Sequence, residues 1–310
     1  MITIDNFKKL STSVGIIRHT TNIGFVETDK GLFIIDSGVN AQDGKMIADC
    51  AEKICPSKKI IAVINTHSHA DHSGGNSYLK NNLDAQIWCT KTESSFLQNP
   101  AAVAYMYWGG NPIEEIKNDT FVNLESVFPD RYIGEKPVEF SNIKFEFIPL
   151  PGHFFDQTGI LVTDKDDGKK TFFLGDGFFG MTLLKKFWIP FMYDQELFRK
   201  SVTEIENTYS DFYIPGHGDI YLPSNIHAIA EMNLIVTLET EFLILKLLRK
   251  KPMTSEELLK EIADYSGIKM KTGQYILIGT TLRSYLSNME KRSLVSFEVK
   301  DNRMLWSAIS

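Results

Sequence analysis

The sequence predicts a mixed α/β chain (α+β in the order of its elements), with a strand-rich body followed by a small, mostly helical tail. Three observations carry this. Roughly the first two-thirds runs in short β-branched and aromatic segments broken by Gly and Asp. Beyond Ile226 the pattern changes to long helical periodicity. The length, 310 residues, amounts to about two domains at ~100–200 residues each. Hydrophobic residues at 43% against charged residues at 23% exclude a disordered or collagen-like chain.

Taken in order, Gly24–Thr28 and Gly31–Asp36 read as neighbouring strands joined at Asp29 and Lys30. A helix is expected near Gln42–Cys55. Ile60–Asn65 (IIAVIN) has the composition of a buried strand and ends abruptly in THSHADHSGGN. Asn76–Leu83 fits a helix and Gln86–Thr90 a strand. Residues 92–140 form an aromatic-rich, weakly periodic insertion, expected as a lid or wall. Strands resume at Ile143–Ile148, Gly159–Thr163 and Lys170–Leu174, the last two joined by the turn Asp166–Gly168. A second aromatic patch, Phe178–Tyr193, precedes a last short strand at Asp211–Ile214.

In the tail, Ile226–Arg249 reads as one long helix. Thr254 and Glu257 have capping-box spacing ahead of a second. Thr272–Lys291 is a third, with Leu282, Leu286 and Met289 on one face. Leu294–Val299 and Arg303–Trp306 then form a hairpin around Asp301 and Asn302. Three helices and a hairpin suggest a winged-helix-like unit, giving a body over residues 1–230 and a tail over 231–310.

The net charge of −6 is uneven. From Glu241 onward, 12 Lys and Arg face 8 Asp and Glu, a net of +4, which leaves −10 on residues 1–240. An acidic chain does not predict nucleic-acid binding. The tail nevertheless offers Thr280, Thr281, Arg283, Ser284, Ser287 and Asn288 on a would-be recognition helix. Lys291, Arg292, Lys300 and Arg303 stand near it. Cys50, Cys55 and Cys89 are expected as free thiols. Met1–Gly15 has no apolar signal core, so a cytoplasmic location is expected. No apolar stretch approaches the ~20 residues of a membrane helix.

The chemistry concentrates in His67, His69, Asp71 and His72, within six residues after a buried strand and out of only seven histidines. Imidazole and carboxylate suit Zn²⁺ and similar metals, and the same donors serve Fe and Mn. Gly74 and Gly75 allow a tight exit. Three more ligand types stand at strand ends before glycine-rich backbone: His153 in PGHFF, Asp176 in LGDG and His217 in PGHGD. Together they suffice for two metals.

HSHADH followed by His153, Asp176 and His217 in that order resembles the metallo-β-lactamase superfamily, over about Gly24–Gly218. The resemblance implies an αββα sandwich. It implies that His67, His69 and His153 hold one Zn²⁺, that Asp71, His72 and His217 hold a second, and that Asp176 bridges. Asp36, in IIDSG, matches an acid that orients the ligand loop. The implied activity is hydrolysis by a metal-bridging hydroxide, with Asp71 able to take or return a proton.

The bridging aspartate resembles glyoxalase II-like hydrolases, lactonases and nucleases more than the antibiotic-destroying β-lactamases. His69 departs from flavodiiron proteins, which have Glu there. The tail resembles the lactamase-beta-2-like, glyoxalase II-related subfamily, some members of which cleave single-stranded RNA. The insertion is longer and more aromatic than that group suggests.

The leading expectation is a hydrolase of a small ester, thioester or lactone. The alternatives are a single-stranded RNA nuclease, a mononuclear iron enzyme like the persulfide dioxygenases, and a non-enzymatic DNA-binding regulator. A small-molecule substrate is the expected partner, RNA is the alternative, no membrane is expected, and a homo-oligomer is left open. Tyr105, Tyr107, Trp108, Phe178, Phe179, Trp188 and Tyr193 are candidate pocket walls, and Met106, Met181 and Met192 candidate fillers.

Overall fold

A computed structural model describes residues 2–119, 121–186 and 189–309. Strands β1 (Phe7–Lys9), β2 (Val14–Ile17), β3 (Ile23–Glu27), β4 (Leu32–Ile35), β5 (Ile60–Ile64), β6 (Gln86–Cys89) and β7 (Arg131–Tyr132) form one sheet in that spatial order. Strands β8 (Val138–Glu139), β9 (Ile143–Pro149), β10 (Thr158–Asp164), β11 (Lys170–Gly175) and β12 (Phe212–Pro215) form a second, in the order β12-β11-β10-β9-β8. The first sheet is antiparallel up to β4 and parallel from β4 to β7. In the second, only β11 and β12 pair in parallel.

The period of two along each strand decides the layering. On β4, Phe33 and Ile35 point into the core between the sheets, with Phe145, Ile160 and Phe173 opposite. Ile34 points outward, where Ile47 and Cys50 of α1 (Ala41–Ile54) and Leu79 cover it. After α2 (Ala70–Ser73), Leu79 lies on α3 (Asn76–Leu83). On β11, Phe173 points inward while Phe172 and Leu174 point outward. The result is helix, sheet, sheet, helix, the αββα sandwich. Cys50 and Cys89 are buried, and all three cysteines are free.

The insertion carries more regular structure than its sequence suggests: α4 (Lys91–Gln98), α5 (Ala101–Trp108) and α6 (Glu114–Lys117). The second aromatic patch contains α7 (Met181–Lys186). The helix α8 (Gln195–Asn207) was not expected. Its N-cap is Asp194, whose side chain accepts from Glu196 and Leu197 N–H groups. Phe198, Val202 and Ile205, at helical spacing, cover the outer face of the second sheet. The strands β1 and β2, only 3 and 4 residues long, have no clear mark in the sequence either.

The tail comprises α9 (Pro223–Leu248), α10 (Ser255–Tyr265), α11 (Thr272–Lys291) and the hairpin β13 (Val295–Lys300) and β14 (Arg303–Ala308). The capping box at Thr254 and Glu257 is present. Helix α9 runs without a break across residues 230 and 231. Its first half packs on the body and its second half on the tail core. Glu241 of α9 accepts ion pairs from Arg199 of α8 and Arg292 just beyond α11. Among the described residues, no helix is long and apolar enough to cross a membrane.

Candidate metal centre

Five strands deliver the polar residues to one end of the sandwich. Asp36 follows β4, His67 to His72 follow β5, His153 follows β9, Asp176 follows β11 and His217 follows β12. Two groups of donor atoms result. In the inner one, His69 Nδ1 lies 3.0 Å from His67 Nε2 and 3.0 Å from His153 Nε2. In the outer one, His217 Nε2 lies 3.4 Å from His72 Nε2 and 3.2 Å from Asp71 Oδ2. Asp176 sits between them, with Oδ2 3.5 Å from both His153 Nε2 and His217 Nε2 and Oδ1 3.5 Å from His72 Nε2. Both groups are compact enough to hold a metal ion.

The far side of each imidazole tests whether the cluster fits a cation. His153 Nδ1 faces the Phe191 carbonyl at 2.9 Å, and His217 Nδ1 faces the Thr20 carbonyl at 2.5 Å. A carbonyl only accepts, so both Nδ1 atoms carry the proton. His72 Nδ1 likewise faces Asp36 Oδ2 at 2.8 Å. Deprotonated at Nε2, as a bound cation would require, these rings turn lone pairs on Nε2 towards one another. Lone pairs converging without a shared proton are the arrangement of metal-bound histidines whose outer N–H groups are held by carbonyls and carboxylates.

Electrostatics sort the two groups. Burial drives His67 well below its ordinary value, and neighbouring His72 and His69 add to the effect. Burial, with the nearby His153, pushes His69 down to about 3. His72 is buried too, yet Asp36, Asp71 and Asp176 raise it to about 10. Burial opposes ionisation of Asp71 and Asp176, but the adjacent histidines hold both below the usual carboxylate range. The inner histidines are neutral donors, and the outer group is built around negative charge.

Asp36 organises the ligand loop. Its Oδ1 accepts from Thr66 N and its Oδ2 from Thr66 Oγ1 and His72 Nδ1, each within 2.9 Å. It does so from φ 57°, a left-handed conformation seldom adopted by non-glycine residues. Strain of that kind is found where a site demands it. At Gly216 a Cβ would fall 2.3 Å from Asp176 Oδ1 and 2.6 Å from the His72 ring, so only glycine lets the β12 loop close over the donors.

A strap from the other end of the chain, Thr20–Asn22, holds the outer group. Besides the Thr20 carbonyl, Thr21 Oγ1 donates to the Asp71 carbonyl at 2.6 Å. Asn22 Nδ2 donates to the Pro215 and Gly218 carbonyls at 2.8 and 3.2 Å. These backbone contacts have no signature in sequence. Glu93, fully buried, accepts from Ser68 and from Asp156 N. Burial raises it to about 7 against those hydrogen bonds. A lone acid in an aromatic insertion gives no warning of this role.

The donors floor a cavity of about 560 Å³. Tyr107 and Phe179 stand in its wall with Phe121 and Phe191. Tyr107 Oη lies 2.9 Å from His69 Nε2. Four of the other expected wall residues lie elsewhere. On α5 the buried face is Val103, Ala104 and Tyr107, which turns Tyr105 and Trp108 outward to 48% and 39% exposure. Phe178 is buried in the core beneath α9. Tyr193 packs behind the wall, against Phe155 and Phe191. Trp188 lies outside the described residues. Of the fillers, Met192 is buried and Met106 and Met181 are half-buried; none is on the wall.

The tail forms the roof, through Ile268 and the Gln274, Leu277 and Ile278 side chains of α11. Of the would-be recognition residues of that helix, Thr281, Ser284 and Asn288 turn inward, while Arg283 and Ser287 are exposed. Thr281 and Ser284 hydroxyls accept from Met192 N and Gln195 N, and Asn288 donates to Asp194. Arg283, Arg292 and Arg303 are paired with Glu256, Glu241 and Glu257.

The family model described as "Metallo-beta-lactamase superfamily" matches residues 16–217. The chain belongs to the metallo-β-lactamase superfamily. Within it, the chain is 24% identical over 155 residues to hydroxyacylglutathione hydrolase GloC of Haemophilus influenzae. That match covers 49% of this chain and spans 64% of the relative's length. Among solved superfamily structures, a beta-lactamase domain protein from Burkholderia ambifaria covers all of this chain and 95% of its own at TM-score 0.77 and 14% identity. A metallo-beta-lactamase family protein from Thermus thermophilus covers 95% and 94% at TM-score 0.70, also 14% identical. These likenesses extend the shared fold through the tail.

Proposed function

We propose that this chain is a dinuclear metal hydrolase of a small, largely apolar ester, thioester or lactone. The observation that carries the reading is two donor trios joined by Asp176 on the floor of an aromatic and aliphatic cavity. His67, His69 and His153 would hold one Zn²⁺, Asp71, His72 and His217 the other, and Asp176 both; Fe or Mn fits the same donors. Bound there, the pair would lower the pKa of a shared water towards neutrality and polarise the scissile carbonyl. Asp71, a metal-two ligand that also borders the cavity, would take or return the proton at its carboxylate. The apolar walls would hold the acyl or leaving group and exclude water.

The glyoxalase II-like assignment rests on Asp176 and on the likeness to GloC. The tail is assigned as a winged-helix-like packing module after residue 230, with α9 as the shared joint. Its inward-facing polar residues and paired arginines support packing over RNA reading. A regulator of DNA is disfavoured on the same ground, and a mononuclear iron enzyme by the second trio.

The deciding experiment is metal analysis of the purified protein paired with a hydrolysis screen over thioesters, lactones, phosphodiesters and RNA. Two metals per chain with turnover of an apolar acyl substrate are expected. One iron per chain, or salt-sensitive RNA cleavage alone, would reject the reading.

A further inference from the structure

Glu93 is 0% exposed. Leaving a carboxylate so deep is costly unless its oxygens are engaged. Both are, by three donors. Oε2 accepts from Ser68 N at 2.9 Å and Ser68 Oγ at 2.5 Å, and Oε1 accepts from Asp156 N at 2.9 Å. Ser68 stands between His67 and His69, and Asp156 three residues beyond His153. One side chain thus spans both loops that bring the inner trio together.

The rest of α4 makes the same connection. Thr90 Oγ1 donates to the Asp156 carbonyl at 3.0 Å, just ahead of the helix. Phe96 stacks on Phe155 at 5.3 Å and packs on Phe154 at 5.0 Å. Phe154 in turn lies 4.4 Å from the His69 ring. Glu93 also sits in the first turn of α4, where the helix dipole favours a negative charge. The outer trio has no link to this carboxylate among its described contacts.

We infer that Glu93 is the positioning residue of the inner metal site, fixing the spacing of His67 and His69 against His153. The inference rests on the metal reading above. It assigns to the first turn of the insertion a bracing role, in place of the covering role its composition suggests. A glutamine cannot replace Glu93 neutrally. It keeps one accepting oxygen and turns an NH₂ towards an N–H or O–H donor.

The test is stepwise titration of the metal-free full chain with zinc and with cobalt(II), for native protein, Glu93→Gln and Ser68→Ala. Each is checked for native-like thermal unfolding. Glu93→Gln should weaken the inner step about 10–100-fold, the usual cost of losing an outer partner, and change the outer step less than about 3-fold. The cobalt d–d spectrum of the inner site should shift, which general destabilisation would not produce. Ser68→Ala should fall between native and Glu93→Gln, and it carries the test alone if Glu93→Gln does not fold. Native affinities and an unchanged cobalt spectrum in the variants would overturn the inference, as would equal weakening of both steps. A native chain that takes up neither metal defeats the metal reading itself, and this inference with it.

Discussion

The two donor trios differ in what surrounds them. The inner three histidines are 0–8% exposed, and they lean on groups from the insertion and the second aromatic patch: Glu93 through Ser68, Tyr107, and the Phe191 carbonyl. The outer trio is partly open, with the His217 and Asp71 side chains 18% and 28% exposed, and it leans on the Thr20–Asn22 strap. Similar donors are thus mounted in one case in a dry, aromatic socket and in the other at the wet mouth of the cavity. The contrast teaches that the ligand motif is only half of each site; the other half is what limits each ligand's freedom to move.

The largest effect should come from Asp176→Ala, since Asp176 touches both trios. Loss of at least one metal and a fall in turnover well beyond the roughly 100-fold set by outer partners are expected, read by elemental analysis and initial rates. A variant with full metal and full activity would sink the bridging assignment. Next, a chelator should strip the protein in two phases, the outer metal first. His217→Ala should show only the slow phase, with one metal left per chain. A single phase in the native protein would mean the two sites are not distinct.

Smaller effects separate the braces. Tyr107→Phe should cost about 10-fold in inner-site affinity and little at the outer site. Asn22→Ala should do the reverse, and also cost about 1–3 kcal/mol in urea unfolding because the buried Pro215 carbonyl loses its side-chain donor. If both variants affect both sites equally, the two braces are one network.

The smallest effect on either site should come from Glu241→Gln, at the joint between body and tail. Burial opposes the Glu241 charge, but Arg292 and Arg199 outweigh it and hold its folded value below the ordinary 4.5. A depressed carboxylate adds stability above its unfolded value, and that stability is lost as pH falls through the folded value. Glu241→Gln should therefore lose about 2 kcal/mol near neutrality, less than a fully buried pair would, and show a flatter acid limb below about pH 4.5. An unchanged acid limb in thermal melts at pH 3–7 would show that the pair contributes nothing.

The convergence of the donor residues was legible because each carries a local mark: strand-end position, adjacent glycine, or the crowding of three histidines into HSHADH. The role of Asp36 was legible only through the family resemblance. The supporting half was not. Glu93, Thr20 and Asn22 act through backbone atoms far away in sequence, and no periodicity records such a contact. Among the aromatics, composition marked a wall but could not choose its face. Tyr107 and Trp108 are neighbours, yet one turns to the cavity and the other to solvent. The alternating β9 and the β-branched run of β5 are readable in sequence; β2, four residues interrupted by Gly15, is not.

The roof of the cavity has a consequence for how the protein comes into being. Synthesis proceeds from the N-terminus, and domains tend to fold as they emerge. Every proposed ligand lies at or before His217, whereas α11 begins only at Thr272. During translation the floor of the site can therefore assemble, and meet metal, while it still lies open to bulk water. Enclosure comes later, when Ile278 and its neighbours arrive. The order of the chain itself thus lets loading precede closing.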